Sequence, residues 1–349
     1  MSSLLVTTTT SAERSHRLSL AATLVPAATP PTIRYLMAFL SVGATPRGAH
    51  SHGRSAHRGF YRQSARSAPD SAYHAAQARR TGGLMPRTAV FSDIDGTLLN
   101  STHQVTSRTR AAIRAVQAAG VPFVIVTARG VSGTYPLLDQ QDISCTVVTY
   151  SGGVILDEAR NVIHHHGLTR AQAQEVVSFA EAEGLDMTWS AYSFEDWVAP
   201  DRTDPRLLQE ERIVMAEARE GTIDSIERDE VQKILCLCTA GSTKEVERRL
   251  KERFPEFAIA ISSETLIEVM PAGSSKAGAV RILCDLWGLD PADALAFGDN
   301  YNDLPMLEAV GHGYLMGNAP SELLERASLV APTNDEDGVA RVLEHLGLI

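Results

Sequence analysis

A regular alternation of apolar strands and amphipathic helices, which begins at residue 88, most constrains the fold of this chain. The stretch "TAVFSDI" is typical of a short apolar strand, and "TSRTRAAIRAVQAAG" then carries apolar residues at helical spacing between an N-cap at Thr106 and a stop at Gly120. "VPFVIVTARG" is a continuous apolar run, as expected for a strand that is buried on both faces of a parallel sheet. The rhythm predicts an α/β fold with a doubly wound parallel sheet.

The middle of the chain breaks this rhythm. Helices are predicted at Leu168–Gly184, Pro205–Glu220 and Ser242–Phe254, with an aromatic hairpin in "LDMTWSAYSFEDWVAP" and a strand in "KILCLC". From Lys276 the strand and helix alternation resumes. We therefore expect one catalytic core, formed by residues 85–158 and 271–349, that is split by an inserted α+β cap domain, residues 159–270.

Residues 1–84 differ in composition from the rest. They contain ten Arg, no Lys and only two acids, Glu13 and Asp70, for a net charge of +8. They are also rich in Ser and Ala and lack sustained periodicity, which is typical of disorder. Two interpretations stay open: an N-terminal extension that is disordered or serves as a targeting segment, or upstream DNA translated from a start assigned too early, with Met85 as the true start.

Charge and composition exclude several function classes. The total charge of −10 leaves −18 for residues 85–349, which argues against a nucleic-acid partner, since such proteins need a basic surface. No apolar run is long enough to span a membrane. The four cysteines are too few and too scattered for a disulfide framework, so we expect buried thiols and a cytoplasmic protein. The oligomeric state stays open between a monomer and a homodimer.

Polar residues cluster where predicted strands end or a helix starts, which is where doubly wound sheets bind ligands. They are Asp93 and Asp95 in "DIDGT", Thr127 and Arg129 in "VTARG", Lys276 in "SSKAG", and Asp299, Asn302 and Asp303 in "GDNYND". Two aspartates one residue apart repel each other. A divalent cation, a phosphoryl group or both would make this arrangement favourable.

Each group suits phosphoryl transfer. Asp93 can attack phosphorus and form an aspartyl phosphate. Mg²⁺ takes hard oxygen ligands, for which Asp93, Asp299 and the carbonyl of Asp95 are the candidates. The Asp95 side chain can then act as general acid and base, while Thr127 and Lys276 bind phosphoryl oxygens. Ala128 and Asn302 are further phosphate-binding candidates. Asp303 is expected to contact the metal ligands rather than the metal itself.

These motifs resemble those of haloacid dehalogenase superfamily phosphohydrolases, specifically the Cof-type branch with a large cap. "DIDGTLL", "TAR", "SSKAG" and "GDNYND" match its four motifs in order, and "YSGGVI", "LMGNAP" and "NDEDGVA" match further stretches. The resemblance covers residues 85–349 and implies a Rossmann-like core, an α+β cap, Mg²⁺ and Asp93 as nucleophile. Ser151 stands where the branch usually has Asn, and Ala277 where Gly is common.

Two segments keep open alternatives beside this resemblance. Asn318 in "MGNAP" is either a turn residue or one that orients the active-site loop. Residues 334–337, "NDED", form either a solvated acidic turn or a lid over the edge of the site. Lys233 is expected to face solvent from its strand, although it could also reach a substrate from the cap.

The expected activity is magnesium-dependent hydrolysis of a small phosphate monoester, a sugar phosphate or a phosphorylated cofactor. A phosphomutase that uses the same aspartyl phosphate and a non-catalytic protein that binds a phosphometabolite are the alternatives. Specificity is expected to reside in the cap hairpin, with Tyr192 and Glu195 as candidates, and in Arg129 of the core. Trp189 and Trp197 are further candidates in that hairpin, although such residues more often pack inside a cap than contact a ligand.

A chain that begins at Met85 is predicted to fold and to retain full activity, because the regular α/β rhythm starts only three residues later. Thermal unfolding and phosphatase assays on the full chain and on residues 85–349 test this prediction. An insoluble or inactive shorter chain would show that the first 84 residues are structural.

Overall fold

The computed structural model describes residues 88–214 and 216–349. The expectations for residues 1–84 lie outside the described residues. Within the described ranges, no helix combines the length and the apolar character that a membrane crossing requires.

The elements follow one another closely along the chain. The strands are β1 (Val90–Ser92), β2 (Phe123–Val126), β3 (Thr146–Thr149), β4 (Val154–Leu156), β5 (Val162–His165), β6 (Leu168–Thr169), β7 (Met187–Ser193), β8 (Asp196–Ala199), β9 (Arg219–Glu220), β10 (Glu230–Val231), β11 (Lys233–Cys238), β12 (Phe257–Ser263), β13 (Leu266–Pro271), β14 (Leu295–Gly298), β15 (His312–Met316) and β16 (Val330–Ala331). The α-helices are α1 (Ser107–Ala118), α2 (Val131–Gln140), α3 (Arg170–Ala182), α4 (Pro205–Val214), α5 (Thr243–Arg253), α6 (Lys276–Trp287), α7 (Leu304–Glu308), α8 (Ser321–Leu324) and α9 (Gly338–His345).

The core is a sheet with the strand order β16-β15-β14-β1-β2-β3-β4-β5. Pairing is parallel from β16 to β3 and antiparallel between β3, β4 and β5. The chain crosses between the two sides of β1, so the strand order reverses at the centre of the sheet. The predicted α/β class with a doubly wound sheet is confirmed, and the reversal point is where such sheets bind ligands.

Helices cover both faces of this sheet, which explains why its central strands are apolar throughout. Val90 of β1 belongs to one buried cluster with Ile113 of α1, whereas the neighbouring Phe91 belongs to another with Leu283 and Trp287 of α6. Adjacent residues of a strand point to opposite faces, so both must be apolar when both faces are buried. The continuous apolar sequence of β1 is thus what a strand with both faces buried requires.

The insert forms a second sheet, with the order β12-β13-β11-β7-β8-β9. One face packs on α3 and α5 through a cluster that includes Val176, Leu250 and Ile234. A capping box at Thr169 starts α3, close to the predicted start of this helix. The strands β7 and β8 form the predicted aromatic hairpin.

Two boundaries differ from the predictions. Strand β5 pairs with β4, so the core sheet extends to His165, past the expected start of the insert at 159. The predicted helix Pro205–Glu220 ends at Val214, and Arg219–Glu220 instead forms a strand beside β8. The side chain of Glu211 accepts a hydrogen bond from the Ala218 amide at 2.8 Å, which turns the chain back toward that strand edge. Tertiary pairing here overrides helical propensity.

A strained loop between β3 and β4 of the core contacts the insert. Tyr150 and Ser151 both have φ of +52°, the left-handed region that non-glycine residues rarely adopt. The buried Tyr150 hydroxyl donates to the Phe194 carbonyl in the hairpin at 2.5 Å, and the Tyr150 and Tyr192 ring centroids lie 6.0 Å apart. The strain is therefore held by a buried contact between the core and the insert.

Ser151→Asn is predicted to stabilise the protein, because Asn tolerates the left-handed conformation better than Ser. The expected gain in the free energy of unfolding is about 0.5 kcal/mol, part of the roughly 1–2 kcal/mol that a left-handed residue costs. Thermal unfolding measures it, with Ser144→Asn as the control, since Ser144 is exposed and does not have a positive φ. A lower melting temperature for Ser151→Asn alone would contradict the prediction.

Candidate active site

Three aspartates meet at the carboxyl edge of the core sheet. Asp93 directly follows β1, Asp299 directly follows β14, and Asp303 lies on the loop before α7. All three are buried, and each offers a carboxylate oxygen within 4.8 Å of the others. The predicted convergence of "DIDGT" and "GDNYND" is what the parallel pairing of β1 with β14 produces.

Lys276 is the cation at the centre of this cluster. Ser275 caps α6 by accepting a hydrogen bond from the Gly278 amide at 3.0 Å, which makes Lys276 the first residue of the helix. Its Nζ lies 2.5 Å from Asp93 Oδ1 and 2.6 Å from Asp303 Oδ1, and the side chain is 1% exposed. Burial of an ammonium group is unfavourable unless it is paired, and here two carboxylates pair it.

Asp303 shapes the loop that carries Asp299. Its Oδ2 accepts hydrogen bonds from the backbone amides of Asp299 at 2.9 Å and Asn300 at 3.0 Å, while its Oδ1 accepts from Lys276. The carboxylate is thus engaged on both oxygens. This pattern suits a residue that holds Asp299 and Lys276 in place.

Gly96 allows the two motifs to approach. It has φ of +79°, and a Cβ at this position would lie 2.3 Å from Asp299 Oδ2. Any side chain there would push Asp299 away from Asp93. The next residue, Thr97, donates to Asp299 Oδ1 at 3.2 Å, so the "DGT" turn both makes room for the carboxylate and orients it.

The electrostatics of the cluster favour the binding of a positive charge. Burial raises the pKa of Asp93 well above its ordinary value, the attraction of Lys276 opposes this, and the charges of Asp303, Asp95 and Asp299 raise it further. Burial and then the charge of Asp303 raise the pKa of Asp299 to about 7. Burial lowers the pKa of Lys276, but the attraction of Asp93 and Asp303 outweighs it, so the net shift is upward.

The donor set fits a divalent cation such as Mg²⁺. Three buried carboxylates face a single ammonium, which leaves uncompensated negative charge at a point lined by hard oxygen atoms. Asp93 and Asp299 are the groups that would hold the ion, since Asp303 is already engaged with Lys276 and two amides.

The side chain of Asp95 is paired with Arg129. The Arg129 Nε donates to Asp95 Oδ2 at 2.7 Å, and its Nη2 donates to Asp95 Oδ1 at 2.8 Å. The sequence suggests Arg129 as a specificity residue and gives no sign of a contact with Asp95. No local pattern signals this contact, because 34 residues and a whole helix separate the two.

The other phosphate-binding candidates lie on the same edge of the sheet. Thr127 is buried directly after β2, and its Oγ1 accepts from the Arg129 amide at 3.1 Å. Ala128 follows it in the loop and is partly buried, whereas Asn302 is exposed on the "GDNYND" loop. Their roles in binding phosphate remain predictions.

The cap candidates differ in exposure. Tyr192 is buried and stacks on Trp197 with ring centroids 5.1 Å apart, and Trp189 is also buried. Glu195 lies at the hairpin turn, with 46% of its side chain exposed, 3.8 Å from Arg228. The exposed position makes Glu195 the better placed of the two specificity candidates, and Trp189 and Trp197 belong to the packed interior.

The expectation that Lys233 faces solvent is wrong. Lys233 is buried, its Nζ lies 3.0 Å from Glu268 Oε1, and it sits 5.1 Å from the centre of the Tyr192 ring. Its strand, β11, lies between β13 and β7, and the side chains of Glu268 on β13 and Tyr192 on β7 pack against the lysine.

Asn318 and Asn334 contact the first motif. Asn318 Nδ2 donates to the Gly96 carbonyl at 2.8 Å, and the Asn334 amide donates to Asn318 Oδ1 at 3.0 Å. Asn334 Nδ2 also donates to the Leu99 carbonyl at 2.8 Å. Asn318 therefore orients the "DGT" turn, and the 334–337 segment is bonded to that turn and to Asn318.

Comparison with protein families agrees with these motifs. The family model described as haloacid dehalogenase-like hydrolase matches residues 90–343, which is more than half of the chain. A Haemophilus influenzae protein named "Putative phosphatase" is 36% identical over 257 residues, which cover 73% of this chain and 97% of that protein. The 5-amino-6-(5-phospho-D-ribitylamino)uracil phosphatase YwtE of Bacillus subtilis is 28% identical over 279 residues, covering 73% of this chain and 96% of that protein.

Solved structures show the same fold. A haloacid dehalogenase-like hydrolase from Bacteroides thetaiotaomicron superposes with a TM-score of 0.68 at 26% identity, and the match covers 75% of this chain and 100% of that one. A hypothetical protein from Geobacillus kaustophilus HTA426 gives a TM-score of 0.67 at 29% identity, with 76% and 100% covered. Family model, relatives and fold agree with the order of the four motifs: the chain belongs to the haloacid dehalogenase-like hydrolase family and is a phosphatase.

Proposed function

We propose that this phosphatase hydrolyses a small phosphate monoester with Mg²⁺ and passes through an aspartyl phosphate on Asp93. The observation that carries the proposal is the buried cluster of Asp93, Asp299 and Asp303 around Lys276 at the carboxyl ends of β1 and β14. When bound, Mg²⁺ supplies positive charge that draws the phosphoryl group toward Asp93 and offsets the charge that develops on its oxygens.

In the first step, an Asp93 carboxylate oxygen attacks phosphorus and the ester P–O bond breaks. The bonding pair stays on the leaving oxygen, which takes a proton from the Asp95 side chain. Lys276 faces Asp93 at 2.5 Å, so its ammonium is close enough to bind a phosphoryl oxygen once phosphorus is bonded to that carboxylate. Thr127, at the end of the adjacent β2, supplies a hydroxyl on the same edge of the sheet.

In the second step, a water oxygen attacks the phosphorus of the aspartyl phosphate. Asp95 takes the proton from this water, the bond between phosphorus and Asp93 breaks, and inorganic phosphate leaves. Asp95 thereby returns to the state in which it began the cycle as a proton donor, and Asp93 is again a free carboxylate. The sequence of bond changes consumes one ester and one water.

The substrate is proposed to be a sugar phosphate or a phosphorylated cofactor. The candidate residues of the core bind the phosphoryl group and the metal, which every phosphate ester shares. We propose that the β7–β8 hairpin, which contacts the core at Tyr150, binds the rest of the substrate. A relative named for a phosphoribityl compound, YwtE of Bacillus subtilis, supports a sugar-like leaving group.

Asp93→Asn is predicted to abolish turnover and the acid-stable phosphoenzyme of a rapid-quench experiment, because an amide is a poor nucleophile. Asp142→Asn is the matched control, since Asp142 is exposed and pairs only with Arg114 among the contacts described. Normal turnover in Asp93→Asn, or phosphate trapped on another residue, would reject the assignment. Phosphate returned to a second position of the sugar in the parent enzyme would indicate a mutase instead.

Without a divalent cation, the protein is predicted to lose stability as the pH rises from the ordinary pKa of an aspartate, 3.8, to about 7. The pKa of Asp299 is raised to about 7 in the folded state, so folding favours the protonated form, and that stabilisation is lost as the pH passes through 7. Mg²⁺ binds the ionised carboxylates, so the rise in melting temperature on adding Mg²⁺ should grow over the same range.

Differential scanning fluorimetry with EDTA or Mg²⁺ measures this effect, and Asp299→Asn is the matched variant. It should unfold with a weaker pH dependence and gain little from Mg²⁺, because one titrating ligand is missing. A melting temperature of the parent that is the same with and without Mg²⁺ at pH 8 would contradict the proposed metal site.

A further inference from the structure

We propose that Arg129 is a positioning residue for Asp95, which makes it necessary for esters whose leaving oxygen must be protonated. The inference rests on the proposed role of Asp95 as general acid. It assigns Arg129 to the chemistry of the leaving oxygen rather than to recognition of the rest of the substrate.

The first observation is the geometry of the pair. Two guanidinium nitrogens donate to the two oxygens of one carboxylate, at 2.7 and 2.8 Å, and the exposed fractions of the side chains are 22% for Arg129 and 34% for Asp95. A bidentate pair of this kind fixes the plane of the carboxylate as well as its position. Each carboxylate oxygen keeps a further lone pair, which can carry the proton that is donated to the ester oxygen in the first step and can accept a proton from water in the second.

The second observation is that Arg129 is itself anchored. Its Nη1 donates to the Gly133 carbonyl at 3.3 Å, its amide donates to Thr127 Oγ1 at 3.1 Å, and its carbonyl accepts from the Tyr150 amide at 2.9 Å. The guanidinium group of Arg129 is thus bonded to the start of α2. The backbone of Arg129 is bonded to Thr127 and to the loop at Tyr150 that contacts the insert. These three hydrogen bonds hold Arg129 in one place, so its contact with Asp95 also holds the Asp95 carboxylate in one place.

The third observation concerns the backbone of Asp95. Its φ and ψ of −82° and 117° are extended, and Gly96 follows with a left-handed φ of +79°. Asp95 therefore stands on a tight turn, outside any regular helix or strand that would restrict its side chain. The contact with Arg129 therefore fixes the orientation of the Asp95 side chain, which the turn leaves free. A general acid that is displaced by about 1 Å can lose roughly 10²-fold in rate.

Aryl and alkyl phosphates separate this role from substrate binding. A nitrophenolate leaves without a proton, whereas an alkoxide needs one, so loss of a positioned acid affects alkyl esters selectively. Arg129→Met is expected to lower kcat on an alkyl phosphate such as glycerol 2-phosphate by about 10²-fold and on p-nitrophenyl phosphate by less than about threefold. Arg129→Lys keeps the charge but not the fork, and it should lie between the parent and Arg129→Met.

Asp95→Asn and the double variant complete the test. If Arg129 acts through Asp95, adding Arg129→Met to Asp95→Asn should lower the alkyl-phosphate rate by less than about threefold more, so the two effects are not additive. Arg108→Lys is the matched control, because Arg108 makes a similar two-nitrogen pair with Glu344 in the core and should leave both activities unchanged.

The outcomes are distinct. Equal losses on both esters in Arg129→Met and Arg129→Lys, additive losses in the double variant, or a faster reaction on the alkyl ester would overturn the inference about Arg129. If Asp95→Asn itself shows no preference for the aryl ester, the general-acid role of Asp95 fails, and the inference fails with it. A selective loss in Asp95→Asn without one in either Arg129 variant rejects only the positioning role.

Discussion

Repulsion among three buried carboxylates is the constraint on which the site depends, and Lys276 is the cation that balances part of it. Asp93 and Asp303 each lie about 2.5–2.6 Å from its ammonium group, and Asp303 in turn fixes the amides of the loop that carries Asp299. Strand pairing and helix packing hold the strand ends together independently of the charges, and this offsets the unfavourable free energy of the repulsion. The carboxylates that Lys276 does not balance leave net negative charge between Asp93 and Asp299. A divalent cation can bind there and, together with Lys276, attract a phosphoryl group.

The sequence was sufficient for the groups whose positions follow from strand ends. Asp93, Thr127 and Asp299 each follow an apolar strand, and a parallel sheet brings such ends to one edge, so their convergence could be predicted without coordinates. Lys276 followed from its place at the first turn of a helix. The α/β rhythm likewise predicted the doubly wound sheet of the core, but not the helix α2 or the strand β5.

Contacts between distant segments could not be predicted in the same way. The pairing of Arg129 with Asp95 and that of Asn318 with Gly96 depend on how loops cross the edge of the sheet. The polarity of Lys233 suggests exposure, whereas the neighbouring strand β13 supplies a carboxylate partner, Glu268, with which the lysine is buried. The end of α4 was missed because the stretch after Val214 has helical propensity and yet pairs with β8.

The central claim is that Asp93 and Asp299 hold a divalent cation and that Asp93 is the attacking group. A crystal structure with Mn²⁺ and beryllium fluoride, with anomalous diffraction data, tests both parts at once. The account predicts an anomalous peak about 2.0–2.3 Å from carboxylate oxygens of both residues, with the fluoride complex bonded to a carboxylate oxygen of Asp93. Manganese bound away from these two residues, or beryllium fluoride bonded to Asp95, would contradict it.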